Sequence, residues 1–352
     1  MKLWMGLLAV ASLATASCDS GKKDQGTGSG AAKPTGPVAI SGSGSTFQKA
    51  FQEVAIDAFI KSNGNVKITY GGGGSGKGRQ DLADMVVDFA GTDSPFKDAD
   101  KSKIKGGDVL YFPILLGPIA VAYNVDGLSG KLQLSPDTLA KIFQGDIKKW
   151  NDPAIAADNA GAKLPSDDIV VVHRADGSGT TDNFTKFLDG ASGGVWKLKS
   201  GSTVDWPKDT QAGQGNGGVA QTVKSTKGAI GYVDLSDAKA AGLVYANVKN
   251  QAGKFVEPTA DTASAAGDGI DVKDDLTFSA LNAKGDTSYP ITYQSWVIVY
   301  AKQADAGKAS ALRDYLKFLL TDGQKQLSSL DFAPLPKSLQ DKAVAQLSKI
   351  SG

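Results

Sequence analysis

Three short loops of glycine and hydroxyl residues carry the chemistry most legible in this chain. They are Gly42-Ser43-Gly44-Ser45-Thr46, Gly71-Gly72-Gly73-Gly74-Ser75-Gly76 and Asp176-Gly177-Ser178-Gly179-Thr180-Thr181. Each lies between an apolar run and a run of helical spacing. A strand that breaks at glycine and restarts as a helix leaves backbone N–H groups without carbonyl partners, with the positive end of the helix dipole behind them. Ser and Thr add hydroxyl donors, and glycine lets an anion approach the backbone, so such a turn is a ready oxyanion site. One loop of this kind is an ordinary connector. Three in one chain, the third led by Arg174, point to a protein that surrounds an anion.

The cation inventory sharpens this reading. The chain holds 38 Lys and Arg, of which only Arg79, Arg174 and Arg313 are arginine. Placing that scarce planar fork beside the third loop suits an oxyanion gripped through two hydrogens. The formal net charge is +1, and without Lys2 the balance is 37 basic against 37 acidic residues. A near-neutral chain lacks the basic surface that nucleic acid requires, and any anion must be held by a local site. One cysteine, Cys18, and one histidine, His173, leave too few members for an internal disulfide, a Cys/His zinc site or a Cys–His nucleophilic pair. No metal or cofactor is expected.

The elements that position the loops follow from hydrophobic period. Val38 to Ile40, Val66 to Tyr70, Val86 to Ala90 and Ile169 to Val172 read as strands, and each ends at a donor loop or, for the third, at Gly91-Thr92-Asp93-Ser94-Pro95. Ligands of open α/β sheets bind at such carboxyl ends of strands. Tyr111 to Val125, with Pro113 and Pro118, is long enough for two strand segments and for a crossing between lobes. Ile291 to Tyr300 would be the return crossing. Ser135-Pro136-Asp137 opens a helix with proline in its first turn, and helices are expected over Ala311 to Leu330 and Leu339 to Ile350. At 352 residues, two lobes are expected.

At the N-terminus, Lys2, the apolar Leu3 to Leu13 and the small residues Thr15-Ala16-Ser17 read as a secretory leader over 1–17. A lone Cys18 directly after it resembles the lipidated cysteine of bacterial lipoproteins, although Thr15 stands where that motif carries leucine. The polar, turn-prone residues 18–37 read as a tether.

Beyond the tether the chain resembles the substrate-binding proteins of phosphate-specific ABC transporters. The resemblance rests on the run from Leu134 to Ile155, on Arg174-Ala175-Asp176-Gly177-Ser178-Gly179-Thr180, on Lys227 to Tyr232, and on the Gly-Ser-Thr-Phe around Phe47. It implies an α/β fold of the periplasmic-binding-protein type (type II), with two lobes, each a mostly parallel sheet flanked by helices, joined by two crossover segments. Lobe I is expected over 38–122 and 294–352, lobe II over 123–293. The phosphate contacts it implies are Thr46, Phe47, Ser75, Asp93, Arg174, Ser178, Gly179 and Thr180, with Asp176 orienting Arg174. The implied partners are inorganic phosphate and permease subunits with a cytoplasmic ATPase. The protein is then an extracytoplasmic monomer, lipid-anchored at Cys18, and not an enzyme. Two departures stand out: His173 occupies a position where some relatives carry a second arginine, and Gly71 to Gly74 is unusually rich in glycine.

Within this set Asp93 is the odd member, an acceptor in a site for an anion. It is intelligible if the ligand itself carries a proton to donate, as phosphate does at neutral pH and sulfate does not. Two other readings remain open at this level: a binding protein for sulfate or molybdate, and a metal-free phosphoester hydrolase with Ser178 or Thr92 as nucleophile.

Overall fold

The computed structural model describes residues 37–128 and 130–352. The leader, Cys18 and the tether up to residue 36 lie outside the described residues. In chain order the elements are β1 (Val38–Gly44), α1 (Lys49–Ser62), β2 (Val66–Gly72), α2 (Ser75–Ala83), β3 (Phe89–Thr92), α3 (Asp98–Lys101) and β4 (Val109–Asn124). Then come β5 (Gln133–Leu134), α4 (Pro136–Phe143), α5 (Pro153–Asp158), β6 (Val170–Arg174), α6 (Gly179–Ala191), β7 (Gln211–Gly213), α7 (Gly215–Ser225) and β8 (Ala229–Asp234). The chain ends with α8 (Leu235–Ala240), β9 (Val244–Tyr245), β10 (Asn247–Lys249), β11 (Phe255–Val256), α9 (Ala260–Ala266), β12 (Thr292–Tyr300), α10 (Ala306–Leu320) and α11 (Lys337–Gln346).

The main sheet has the order β2-β1-β3-β12-β4-β8-β6-β7, with β9 also on β4, and β11-β10-β5 form a separate small sheet. It is one curled sheet with two halves that share β4. In the first half β1 runs parallel to β2 and β3, and β12 runs antiparallel to β3 and β4. In the second half β6 runs parallel to β7 and β8, and β8 antiparallel to β4. The partner of β4 changes at one point: Val109 to Pro118 face β12, Ile119 to Asn124 face β8. The chain returns just before β12, where Ile291 O accepts from Ile119 N at 2.9 Å and the Tyr289 hydroxyl donates to Ile119 O at 2.8 Å.

Pattern reading allowed two strand segments across Tyr111 to Val125; the structure has a single strand. Both prolines fall where a missing N–H does least damage. Pro113 sits opposite the register shift between Ser295 and Trp296, and Pro118 is the last residue paired with β12. Toward the C-terminus the long helix is displaced from its expected place. It spans Ala306–Leu320, started by Asp305, whose side chain accepts from Lys308 N, and short 3-10 turns cover Asp322–Gln326 and Ser328–Leu330. The strand expected at Val86 begins instead at Phe89, because Met85 takes a left-handed turn at φ 61 that leaves Met85 and Val86 exposed.

The core is richest where β4 and β12 pair. Trp296 is fully buried, meets Tyr111 and Phe278 edge to face with ring centroids 6.3 and 5.6 Å apart, and donates from Nε1 to Leu276 O at 3.0 Å. Trp296→Ala therefore removes a large buried ring and strands a carbonyl, and is expected to cost about 3–5 kcal/mol in denaturant unfolding. Trp296→Phe, which keeps most of the packing, should lose clearly less.

Candidate functional site

Four strand-to-helix turns meet where the halves of the sheet face each other. β1 leads into α1, β2 into α2, β6 into α6 and β7 into α7. Gly74, the residue before α2, has φ 88, and a Cβ built on it would lie 2.1 Å from Asp176 Oδ2 and 2.8 Å from Gly177 O. At Gly179, the first residue of α6, a Cβ would come within 2.5 Å of Ser75 Oγ and 2.7 Å of Asp93 Oδ2. Only glycine permits these approaches. The turns before α1 and α7 also touch, since Asn216 donates from its backbone N to Thr46 Oγ1 at 3.2 Å and from Nδ2 at 3.3 Å.

Asp93 follows β3 and is 2% exposed. Ser45 Oγ donates to its carboxylate at 2.7 Å from either oxygen, Ser75 Oγ to Oδ2 at 3.0 Å and Ser295 Oγ to Oδ1 at 2.5 Å. Burial pushes this carboxyl above its ordinary range, and the hydrogen bonds from Ser295, Ser45 and Ser75 oppose that shift. A carboxylate offers about four lone-pair positions. Three serines from three separate segments leave room for one further donor.

Arg174 ends β6 and is 5% exposed. Its Nε donates to Asp176 Oδ1 at 2.8 Å and its Nη2 to Asp176 Oδ2 at 2.5 Å, a bidentate fork that fixes the guanidinium plane. Burial works against the Arg174 charge; the Asp176 bonds outweigh it and raise the guanidinium above its usual value. The Asp176 carboxyl is held below its usual value by the same pair in spite of burial, and it also accepts from Gly215 N at 3.0 Å. The remaining nitrogen, Nη1, lies 3.3 Å from Thr180 Oγ1 and 3.2 Å from Asn216 Oδ1.

The sequence-derived residues thus come together, with two qualifications of role. The Phe47 N–H donates to Ser45 Oγ at 3.1 Å, and its ring is buried against Tyr293 and Phe332, with centroids 4.0 and 5.2 Å away. Ser178 Oγ caps α6 by accepting from Thr181 N at 3.0 Å, which leaves its own hydrogen free to donate. The first N–H groups of α6, at Gly179 and Thr180, have no carbonyl of their own helix to reach. A cleft of about 400 Å³ opens beside Thr46, Phe47, Gly72, Gly215 and Asp234. His173 is not among the converging groups. Its ring stacks on Trp206 at 5.0 Å, its nitrogens face Arg174 O at 3.0 Å and Thr210 Oγ1 at 3.1 Å, and burial lowers its pKa.

Sequence reasoning missed Ser45 and Ser295 as ligands of Asp93, and Asn216 and Tyr293 as neighbours of Thr180. Ser45 lay inside a loop already singled out. The run Gln214-Gly215-Asn216-Gly217-Gly218 carries the same glycine-rich signature as the other loops and would have led to Asn216. Ser295 and Tyr293 gave no signal beyond strand alternation.

A sheet whose strands end at converging helix N-termini, with one pinned arginine between them, defines an oxyanion-binding protein of the two-lobed α/β class. A PBP superfamily domain matches residues 27–323. The protein named phosphate-binding protein PstS of Pasteurella multocida is 36% identical over 312 residues, covering 87% of this chain and 89% of its own length. That of Methanocaldococcus jannaschii is 38% identical over 350 residues, with 92% and 89% covered, and phosphate-binding protein PstS 2 of Mycobacterium tuberculosis is 34% identical over 365 residues, with 99% and 98% covered. Among solved structures, a high affinity periplasmic phosphate-binding protein (PfluDING) bound with phosphate superposes with a TM-score of 0.72 at 23% identity, over 88% of this chain and 94% of its own, a likeness of fold. The chain belongs to the PBP superfamily and, within it, to the PstS phosphate-binding proteins.

The raised pKa of Asp93 sets a sign for pH dependence. The folded protein binds the Asp93 proton more tightly than the unfolded chain does. The associated stability is complete at low pH and is lost as pH rises from the ordinary carboxylate range through the folded pKa. Asp93→Asn abolishes that loss. The variant's melting temperature relative to wild type, both without phosphate, should therefore rise between pH 4 and pH 7; a difference flat with pH would contradict the assignment.

Proposed function

We propose that this protein captures inorganic phosphate outside the cytoplasmic membrane and delivers it to the permease of an ABC transporter, without chemical turnover. The observation that carries the reading is the juxtaposition of the buried Asp93 carboxylate with the Asp176-pinned Arg174 and the helix N-termini at Ser75 and Gly179. Phosphate oxygens would take the hydroxyls of Thr46, Ser178 and Thr180, the Gly179 N–H and the Arg174 guanidinium; the Ser75 hydroxyl and the Phe47 N–H, which donate to Asp93 and to Ser45 Oγ in this arrangement, would have to turn to the ligand to join them. The phosphate proton would go to Asp93. The names of the relatives support the same ligand. A hydrolytic role finds less support, because both nitrogens of His173, the one histidine of the chain, face Arg174 O and Thr210 Oγ1 rather than Ser178 or Thr92.

Capture by closure follows from where the donors sit. Thr46, Phe47, Ser75 and Asp93 belong to lobe I (38–122 and 294–352) in this reading, and Arg174 to Thr180 to lobe II (123–293). The crossings are β4, at its change of partner, and the segment before β12. Phosphate makes both sets of contacts only in the closed form, and so draws the population toward it. Lipid attachment at Cys18, a monomeric state and the permease and ATPase partners complete the proposal. Among the described residues no helix is long and apolar enough to cross a membrane.

Titration calorimetry with phosphate and sulfate at constant ionic strength tests the site. A fully ionised sulfate would set its lone pairs against Asp93 with no hydrogen between, and such a mismatch in a desolvated site can discriminate by about 10⁴ to 10⁵. Wild type should ignore sulfate at concentrations that saturate phosphate. Asp93→Asn should lose much of that discrimination, because an amide can turn its N–H toward sulfate. Arg174→Ala should weaken phosphate binding by about 3–5 kcal/mol, the cost of breaking a buried pair. An Arg174→Ala variant that binds like wild type would sink the assignment.

Location is checked separately. Cys18→Ala should move the protein from the membrane fraction to the soluble fraction with phosphate affinity unchanged. A wild-type protein that already fractionates as soluble rules out the anchor.

A further inference from the structure

We infer that Asp182 and Asn183, in the first turn of α6, form a latch that holds the two halves of the protein together through protein contacts alone. The latch thereby sets phosphate affinity from outside the anion site. It rests on the proposed closure but not on the identity of the anion. Asp182 Oδ2 accepts from Ser94 Oγ at 2.6 Å, and Asn183 Nδ2 donates to Asp93 O at 2.8 Å. A third bond, from Gly76 N to Gly177 O at 2.8 Å, runs in the same direction as that from Ser94. Each joins a residue that precedes β4 to one in the β6–α6 region. Ser94, Asp182 and Asn183 are 6%, 4% and 3% exposed, so these bonds are made out of water, and removing one partner strands the other while the halves stay together.

The surrounding charges favour the same contact. Lys186 Nζ lies 2.6 Å from Asp182 Oδ2 on α6 itself. From the other half, Arg79 on α2 donates to Thr92 Oγ1 at 2.9 Å and to Ser94 O at 3.1 Å, which places its charge behind the serine that Asp182 engages. Arg79 makes no ion pair among the described residues. Its charge is weakened by burial and supported chiefly by Asp182, then Asp93. The Asp182 carboxylate is thus flanked by one cation from its own half and one from the opposite half. Asn183 also ties its amide to Gly179 O at 2.9 Å, so the group that reaches across is held rigid by its own helix.

A contact that exists only in the closed form raises the closed population, and apparent affinity scales with that population. Loss of the latch should therefore leave the anion contacts intact but let the halves part more easily. Asp182→Ala and Asn183→Ala are each expected to weaken phosphate binding on the order of tenfold, within the usual range for coupling between sites. The loss should fall on the dissociation rate, with association nearly unchanged. Small-angle scattering without phosphate supplies a readout that a merely local packing role would not move. The radius of gyration of the phosphate-free variants should exceed that of phosphate-free wild type, with melting temperatures within a few degrees.

Ser94→Ala removes one hydroxyl and no packing, and decides the matter if either helix variant fails to fold. Variants that match wild type in phosphate-free radius and in dissociation rate overturn the latch, even if phosphate still compacts every protein. If phosphate compacts none of them while the phosphate-free variants remain expanded, the latch stands and the phosphate reading fails.

Discussion

A carboxylate removed from water must find donors, and at Asp93 that requirement organises the first half of the molecule. Its three serine partners come from the β1–α1 turn, the start of α2 and the middle of β12. Ser75 also accepts from Asp93 N at 3.1 Å, so the same hydroxyl orients backbone and side chain. The demand reaches the crossing strand as well. Gln48 Nε2 donates to Ser295 Oγ at 2.7 Å and to Trp296 O at 3.0 Å, at the register shift that also accommodates Pro113. An irregularity in β12 and a proline in β4 are thus tied to one buried charge. The turns that could bind an anion are aligned by an anion the protein already contains.

The second half solves the inverse problem. Arg174 must be buried to be useful and must stay charged, and Asp176 secures both while occupying two of its donor edges. Counting formal charge, Arg174 against Asp93 and Asp176 leaves no positive surplus with which to attract a dianion. Attraction must come from oriented dipoles, meaning the unpaired N–H groups of α2 and α6 and the hydroxyls around them. Such a site is exact about where protons are, because neutral donors and one acceptor distinguish ligands by hydrogen placement more sharply than a cluster of lysines would. The excess of lysine over arginine fits this division: among the described residues the lysines lie on the surface, where their charge is screened.

What the sequence disclosed follows the range of the physics involved. Loops at the carboxyl ends of strands were legible because the signals are local: an apolar run, glycines, hydroxyls, then a helical period. Asp176 beside Arg174 was legible for the same reason, two residues apart. Ser295 meets Asp93 from 202 positions away, and Asn216 meets Thr46 from 170; no periodicity encodes such a meeting. The single β4 strand was misjudged because proline is a penalty only where its N–H is needed, and that depends on partners the pattern does not name. The displaced start of α10 came from passing over Asp305 as a cap.

In the proposed reading, binding and closure are interleaved on helix α6. Its first two residues, Gly179 and Thr180, lie against Ser75, Asp93 and Arg174, and the next turn supplies Asp182 and Asn183 to the opposite half. Asn183 reaches the carbonyl of the same residue whose carboxylate is proposed to take the ligand proton, so in that reading the two functions meet at Asp93 from opposite sides. A rigid helix cannot satisfy one set of contacts while withdrawing from the other. Sequence change within this single turn can therefore retune affinity in either of two ways, through the donors that face the anion or through the balance between open and closed forms, and only the first would alter which anion is preferred.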